Sequence, residues 1–434
     1  MKIIIVGTAY PLRGGIAHYN ALLYQELRTK HDVQIITFKR QYPAFLFPGT
    51  TQVETEGEML RVPSEPLMDS INPLNWVSVG RAIRRRRPDV LIFKYWLPFF
   101  GPCFGTIARV AKRGTTTKVL FICDNVIPHE HRPGDSAFTR YAFGPVDGFI
   151  AQSETVQRDL LRFWPKAKFR NVPHPVYNIF GVLKEKVAVR AALGITAPRI
   201  ILFFGYIRRY KGLHVLLDAM AALDSSLNIH LLIVGEFYDD KEKYQEQIAA
   251  LGITDRVTVR SEYVSNESVG EYFSAADVVV LPYISATQSG IAQIAYNFDK
   301  PVIATAVGGL AEVVVDNVTG FLVPPEEPQA LARAISRFFI EGKENEFAAN
   351  VREEKKKYTW SALVSALEEL ATLYATKRRL PSCARKMDST LCDALDADWS
   401  ACIHSLHLKN LLPIIKKGTT SSRIPLLPLV QIRL

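Results

Sequence analysis

The chain has 434 residues, of which 48% are hydrophobic and 22% charged, and its net charge is +10. This length is too great for one hydrophobic core, so it predicts two domains, and the composition is typical of a soluble globular protein. The excess of positive charge favours anionic partners, such as nucleic acid, phosphorylated small molecules or an acidic membrane surface.

The cysteines and the N-terminal residues indicate the compartment. There are five cysteines, an odd number, and no pair has metal-ligand spacing. This pattern predicts a reduced, intracellular protein. The first apolar run ends at Gly7, too early for a signal peptide, and no apolar stretch is long enough to span a bilayer. We therefore expect a cytoplasmic protein with at most surface contact at the inner face of a membrane.

The first half of the chain has the pattern of a doubly wound α/β domain. A short apolar run is followed by a loop with Pro11, Gly14 and Gly15, and a helical pattern begins at about Ile16. Continuous apolar runs are typical of parallel strands covered on both faces, and they predict strands at residues 3–6, 33–38, 90–93, 119–122 and 148–151.

A proline-bracketed break at residues 171–175 separates this pattern from a second one. After a charged helix, strands are predicted at residues 200–205, 229–234, 257–259, 278–281, 302–304 and 321–323, and helical segments alternate with them. The sequence therefore predicts two Rossmann-like doubly wound domains that face a cleft, which is where α/β sheets bind their ligands. A last helix is predicted from Thr359 to residue 377, with Leu363, Leu367 and Leu370 on one face.

The loop after the first strand of the second domain carries the strongest chemical signal. It contains Arg208, Arg209 and Lys211, and a helix is predicted to begin near Leu213. A helix N-terminus with nearby cations is suited to bind phosphate, since arginine bonds phosphate oxygens in pairs and lysine adds a point charge. The alternative is a solvated basic turn.

With its context, this loop resembles the second domain of the retaining GT-B-fold glycosyltransferases of family 4. The resemblance extends over roughly residues 1 to 377 and is carried, in order, by residues 11–15, 173–175, 204–213, 234–236, 276–282, 301–305, 308–309 and 317–323. It implies that Arg208 and Lys211 hold the diphosphate of a nucleotide sugar and that Gly14 and Gly15 belong to the same donor site. It also implies that neither a metal nor another cofactor is required.

The resemblance divides the chain into an acceptor-side domain at residues 1–175 and a donor domain at 176–358. It also implies a helix at 359–380 that packs back toward the first domain. The tail at 381–434 is assigned no fold or role.

The sequence departs from the family pattern where the donor sugar and ribose usually meet two glutamates. Ala286 and Ile294 stand at those positions. Nearby groups that can still form hydrogen bonds or approach the donor are Gln288, Ser289, Gly290 and Gln293. Two interpretations follow: an active enzyme that uses amides, or a nucleotide-sugar-binding protein without catalysis. We favour activity because the phosphate loop is kept, and leaving-group stabilisation by its two cations is the main requirement.

On the acceptor side, Asp124 follows a strand of the first domain. It is predicted to orient the acceptor hydroxyl or take its proton, with helix capping as the equal alternative. His129 is a weaker candidate in the same loop. Trp96 belongs to an aromatic stretch that either packs under a loop or contacts the acceptor.

The run Arg84–Arg87 also has two interpretations. The first is a solvated helix end, and the second is a contact for anionic lipid.

The hypothesis is a glycosyltransferase that moves a sugar to a saccharide or lipid-linked acceptor with retention of configuration, in polysaccharide or lipopolysaccharide synthesis. The alternative is a non-catalytic nucleotide-sugar-binding protein. A nicotinamide-dependent oxidoreductase is disfavoured because Gly-x-Gly-x-x-Gly is missing after Val6, and no motif supports nucleic-acid binding.

Overall fold

The structure is a computed structural model that describes residues 1–43, 52–53, 61–128, 132–262 and 264–373. The predicted acceptor-side residue His129, the tail at 381–434 and three of the five cysteines lie outside the described residues. Cys103 and Cys123 are both buried and unpaired by disulfides.

The first domain is built around a parallel sheet of seven strands among the described residues. Its strands are β1 (Lys2–Val6), β2 (Asp32–Arg40), β3 (Glu65–Asp69), β4 (Val90–Tyr95), β5 (Lys118–Cys123), β6 (Gly148–Ala151) and β7 (Phe169–Asn171). They are arranged in the order β3-β2-β1-β4-β5-β6-β7. The apolar runs of β1 and β4 are buried throughout their inner positions because helices cover both faces. Those helices are α1 (Gly15–Leu27), α2 (Pro73–Arg86), α3 (Gly101–Lys112), α4 (Asp135–Phe143) and α5 (Glu154–Phe163).

The second domain repeats this plan with six described strands, again all parallel. They are β8 (Arg199–Phe204), β9 (Ile229–Val234), β10 (Val257–Arg260), β11 (Val278–Leu281), β12 (Val302–Thr305) and β13 (Gly320–Val323), in the order β10-β9-β8-β11-β12-β13. The helices are α6 (Lys186–Ala192), α7 (Leu213–Ala222), α8 (Lys241–Ala250), α9 (Asn266–Ala275), α10 (Gly290–Asn297), α11 (Leu310–Val313), α12 (Pro328–Ile340) and α13 (Glu344–Glu354). The predicted architecture of two doubly wound α/β domains is therefore confirmed.

The last described helix, α14 (Trp360–Thr372), follows the second domain in the chain but packs on the first sheet. Leu370 is fully buried, and its side chain lies against Gly148 at the start of β6. At the other end of the helix, the indole nitrogen of Trp360 donates to the carbonyl of Val176 at 2.9 Å. The chain thus crosses to the second domain after β7 and returns through α14.

Two strands were missed by the sequence analysis, and both lie at sheet edges. β3 contains Pro66 and exposes its first two residues, while β7 has three residues and none of them is buried. Edge strands of this kind lack the continuous apolar run that marks a central strand, because one side has no neighbour and the faces are partly open.

The sheet orders fix where a ligand can bind. In the first sheet the strand order reverses between β1 and β4, and in the second between β8 and β11. The loops that follow these strands therefore diverge and leave a crevice at the carboxyl ends. The glycine loop after β1 and the basic loop after β8 both lie at such a reversal.

Candidate active site

The basic loop after β8 is held in place by close backbone approaches. At Gly212, φ is +70°, and an added Cβ would lie 1.9 Å from the carbonyl oxygen of Pro282. At Gly235, φ is +144°, and an added Cβ would lie 2.2 Å from the carbonyl oxygen of Gly205. Glycine is therefore required at both places. The loop continues through a 3-10 turn at Arg209–Lys211 into the start of α7.

Its two predicted phosphate ligands have no carboxylate partner among the described residues. Lys211 is buried, and its Nζ lies 5.7 Å from the ring centre of Tyr283. The Arg208 guanidinium lies 5.4 Å from the ring centre of Tyr238. Burial, and then the charge of Arg208, lower the pKa of Lys211 to about 7. Two neighbouring basic side chains without carboxylate partners among the described residues are suited to bind an anion. Arg209, by contrast, is exposed and fits the solvated-turn interpretation.

A cavity of about 380 Å3 opens beside Lys211 between loops of both domains. Most of the residues predicted for the site contribute to its wall, namely Gly14, Gly15, Trp96, Asp124, Lys211, Gln288, Ser289 and Gly290. Arg208 lines an adjoining cavity of about 450 Å3 that shares Lys211, Trp96 and the two glycines. The structure thus brings these nine predicted residues to one crevice, at the reversal points of both sheets.

Gln293 is the exception among the predicted residues that the structure describes. It lies in α10 but is fully buried away from the cavity, whereas Gly290, Ile291 and Ile294 of the same helix line it. Since successive helical residues are rotated by about 100°, Gln293 faces a different side of α10 from Ile294. Its prediction as a donor ligand is therefore not supported by this geometry.

The two positions where the family usually has glutamates lie in the cavity wall. Ala286 and Ile294 both line it and are nearly fully buried. The wall at these positions is therefore apolar. Gln288 forms a hydrogen bond with Asp124, but its Oε1 is buried without a partner among the described residues. Ser289 caps α10 by accepting from the amide of Ala292 at 3.3 Å.

Asp124 forms a buried ion pair that the sequence analysis missed. The Nζ atom of Lys94 lies 2.5 Å from Asp124 Oδ1, donates to Gln152 Oε1 at 2.6 Å, and lies 3.3 Å from the ring centre of Tyr19. The predicted alternative, that Asp124 caps a helix, does not apply because the residue before α4 is Gly134. The signal in the sequence was a lysine inside the otherwise apolar run of β4.

Burial and pairing act in opposite directions on these two groups. Burial raises the pKa of the Asp124 carboxyl and lowers the pKa of the Lys94 ammonium, while their mutual attraction opposes both shifts. A carboxylate whose pKa is raised in this way accepts a proton more readily than one in water. The arrangement can therefore orient a hydroxyl that enters the cavity or remove its proton.

The structure shows the packing that was predicted for Trp96, while its contact with an acceptor stays a prediction. Its ring packs on Phe100 with 4.5 Å between ring centres, and its Nε1 donates to the Tyr42 hydroxyl at 3.3 Å. The same side chain lines both cavities. It is therefore held by packing while one part of the indole remains available to a ligand.

Polar contacts join the two domains around the crevice. Arg13 pairs with Glu236 at 2.7 Å, and the Tyr177 hydroxyl donates to the carbonyl of Gly15 at 3.1 Å. Thr287 donates to the side chain of Asn125, and its carbonyl accepts from Ser153 at 2.8 Å. The crevice is therefore closed in this structure.

The described residues contain neither a metal-binding cluster nor a helix that could span a membrane. No group of three or more His, Cys, Asp or Glu side chains there has an arrangement that could hold a metal ion. No described helix is both long and apolar enough to cross a bilayer.

Two family models match the chain, one within each domain. The model described as "Glycosyl transferase 4-like domain" matches residues 14–174. The model described as "Glycosyl transferases group 1" matches residues 198–340.

Similar proteins include a D-inositol 3-phosphate glycosyltransferase of Streptomyces griseus, 39% identical over 163 residues, which are 35% of this chain and 34% of the relative. The chain matches no more than about half the length of such relatives; for that of Streptomyces coelicolor the share is 49%.

Among solved structures, Anabaena HepE in complex with UDP-glucose has a TM-score of 0.69 at 18% identity. The match covers 86% of this chain and 100% of that one. Sucrose-phosphate synthase from Thermosynechococcus elongatus has a TM-score of 0.66 at 20% identity with the same coverage, 86% and 100%. These likenesses show the GT-B fold. One family model matches residues of the first domain and the other matches residues of the second, so each domain is similar to a domain of known glycosyl transferases.

Proposed function

We propose that the protein transfers a sugar from a nucleoside-diphosphate sugar to a saccharide or lipid-linked acceptor, with retention of anomeric configuration. We place this reaction in polysaccharide or lipopolysaccharide synthesis. The observation that carries the proposal is a pair of cations, Arg208 and Lys211, at the edge of a closed crevice. Neither of them has a carboxylate partner in the part of the chain that the structure describes. The fold of a protein solved in complex with UDP-glucose, HepE, supports a nucleotide-sugar donor.

The reaction follows from the placement of these groups. The bond between the anomeric carbon and the β-phosphate oxygen breaks, and the negative charge that develops on the diphosphate is stabilised by Arg208 and Lys211. The acceptor oxygen bonds to the same face of the anomeric carbon, and its proton passes to Asp124 or to the departing phosphate. We propose that these two cations replace the metal ion that other transferases use for the same charge.

Substitution of the cations tests the donor site. Arg208→Ala and Lys211→Ala should each weaken the binding of UDP, GDP or ADP by about ten- to a hundredfold, because each removes a charge-assisted contact worth about 1.5–3 kcal/mol. Arg209→Ala is the matched control, since this exposed cation belongs to the same turn. Isothermal titration calorimetry measures the affinities. Equal losses in all three variants, or none, would contradict the assignment.

A panel of labelled nucleotide sugars distinguishes transfer from binding alone. We expect hydrolysis or transfer with at least one donor, unchanged by a chelator, and an NMR spectrum of the product that shows retained configuration. Donor binding without turnover on every acceptor tried would favour the alternative, a non-catalytic nucleotide-sugar-binding protein.

We also propose that the protein contacts anionic lipid through α2 and the residues just before it. Leu74 is 83% exposed there, and Ile71 is exposed beside it. Arg81 and Arg85 are exposed on the same helix, and Arg87 follows at its end. Exposed apolar side chains next to several arginines are typical of a surface that binds anionic headgroups. Sedimentation with lipid vesicles measures this contact.

A further inference from the structure

His18 contributes to the wall of the 380 Å3 cavity but has no assigned role. It lies in α1, three residues beyond Gly15. The residue is only 8% exposed, and its Nε2 has no hydrogen-bond partner among the described residues. A buried polar atom without a partner costs about 1–3 kcal/mol. A cavity wall that keeps such an atom is suited to a ligand that bonds to it.

The surroundings of His18 are apolar. The ring of Phe180 lies edge-on to it, with 5.7 Å between ring centres. Val264, Val269 and Ile294 complete this part of the wall. Asn266 also lines it but already has an interaction within the protein.

This part of the cavity suits a nucleoside if the phosphates lie at Lys211, which the proposed function requires. The cavity adjoins the second one at Trp96, Asn125 and Lys211, where a sugar and an acceptor have room. Elsewhere the wall continues from Gly290 to Tyr177, which packs on Phe180, and Phe180 in turn packs on His18. Packing on an apolar wall stabilises a bound flat base, whereas a buried ribose hydroxyl needs a hydrogen-bonding partner.

We propose that Nε2 of His18 forms a hydrogen bond with a ribose hydroxyl of the donor nucleotide. The second domain offers the apolar Ile294 in this part of the wall, so the first domain supplies the polar contact. Burial lowers the pKa of His18 to about 4, so the ring is neutral near pH 7. A neutral imidazole nitrogen can donate to or accept from a hydroxyl, depending on its tautomer.

The test compares nucleotides with and without the hydroxyls. UDP, GDP and ADP and their 2′,3′-dideoxy counterparts are titrated into the wild type, His18→Phe and His18→Gln by calorimetry. For the base that binds best, the wild type should bind the ribonucleotide about five- to tenfold more tightly than the dideoxy form. His18→Phe should weaken the ribonucleotide by a similar factor and leave the dideoxy form unchanged. His18→Gln should recover part of the difference.

His230→Phe is the matched control, because His230 lies on β9, bonds to Thr258 at 2.8 Å and does not line the cavity. Equal weakening of both nucleotides in His18→Phe would assign His18 a packing role and overturn the inference. The inference would also be overturned if His18→Phe still preferred the ribonucleotide to the dideoxy form as strongly as the wild type does, or if the wild type showed no such preference. In these cases Arg208→Ala still weakens binding, so the proposed function stands. A wild type that binds no nucleoside diphosphate overturns both.

Discussion

At the residue scale, the charge of Lys211 depends on whether an anion is bound. The free side chain has a pKa of about 7, lowered by burial from its ordinary 10.5, so it is largely neutral above that pH. A diphosphate favours the charged form and raises this pKa again. In the free protein, the contribution of Lys211 to the free energy of unfolding rises with pH between the two values, because the unfolded chain binds the proton more tightly.

We therefore expect nucleotide binding to weaken as pH rises above about 7, by up to tenfold per pH unit, because the bound complex takes up a proton. Between pH 7 and 9 the nucleotide's own phosphate is almost fully ionised, so the slope reports on the protein. Calorimetry in buffers of different ionisation enthalpy measures the proton uptake. The arginine introduced by Lys211→Arg keeps its charge throughout this range, so the nucleotide affinity of this variant should no longer fall with pH. The same slope in both proteins would contradict the prediction.

Single residues also show where sequence reasoning ends. Arg208 and Lys211 could be predicted because they lie in one loop, close together in the chain. Lys94 could not be paired with Asp124, because that contact depends on β4 and β5 being neighbours in the sheet, with Lys94 opposite Ile122. His18 was missed for a similar reason, since the apolar residues around it come from distant segments that meet only in the folded protein.

At the scale of elements, the loop between β8 and α7 depends on the close approach of Gly212 to Pro282. Gly212→Ala should cost at least about 3 kcal/mol, since a Cβ meets a backbone oxygen in addition to an unfavourable φ. Gly194→Ala is the matched control, because its φ is also +70° but nothing lies within 4 Å of the added Cβ. It should cost only about 1 kcal/mol. Chemical denaturation measures both, and equal losses would show that the contact is relaxed.

The central strands and the edge strands differed in how well they could be predicted. β1, β4 and β8 are buried by helices on both sides, so their apolar runs mark them in the sequence. β3 and β7 are fixed by pairing with a single neighbour, and that pairing leaves little trace in composition. The predicted order of strands and helices was sufficient to place the crevice, because it depends on the central strands.

At the scale of the whole molecule, the net charge of +10 is one reason to expect contact with anionic surfaces. The α2 surface should carry most of that effect. Arg81→Glu combined with Arg85→Glu should reduce sedimentation with vesicles of phosphatidylglycerol and phosphatidylcholine by at least tenfold, at about 1 kcal/mol per arginine removed. Binding of the wild type to these vesicles should also be lost at high salt.

The control is Lys166→Glu combined with Arg333→Glu, two exposed cations whose change alters the net charge equally. Lys166 precedes β7, at the opposite edge of the first sheet from β3, and Arg333 lies in the second domain. Vesicle binding reduced as much by this pair would indicate that overall charge, rather than α2, determines the contact.

Thr287 joins the two domains at the crevice through two separate hydrogen bonds. It bonds to Asn125 after β5 and to Ser153 after β6, so one residue of the second domain is attached to two loops of the first. Because both bonds cross between the domains, both must break before the crevice can widen at Thr287. The rate at which a bound molecule leaves should therefore depend partly on these two bonds, whatever sugar the molecule carries.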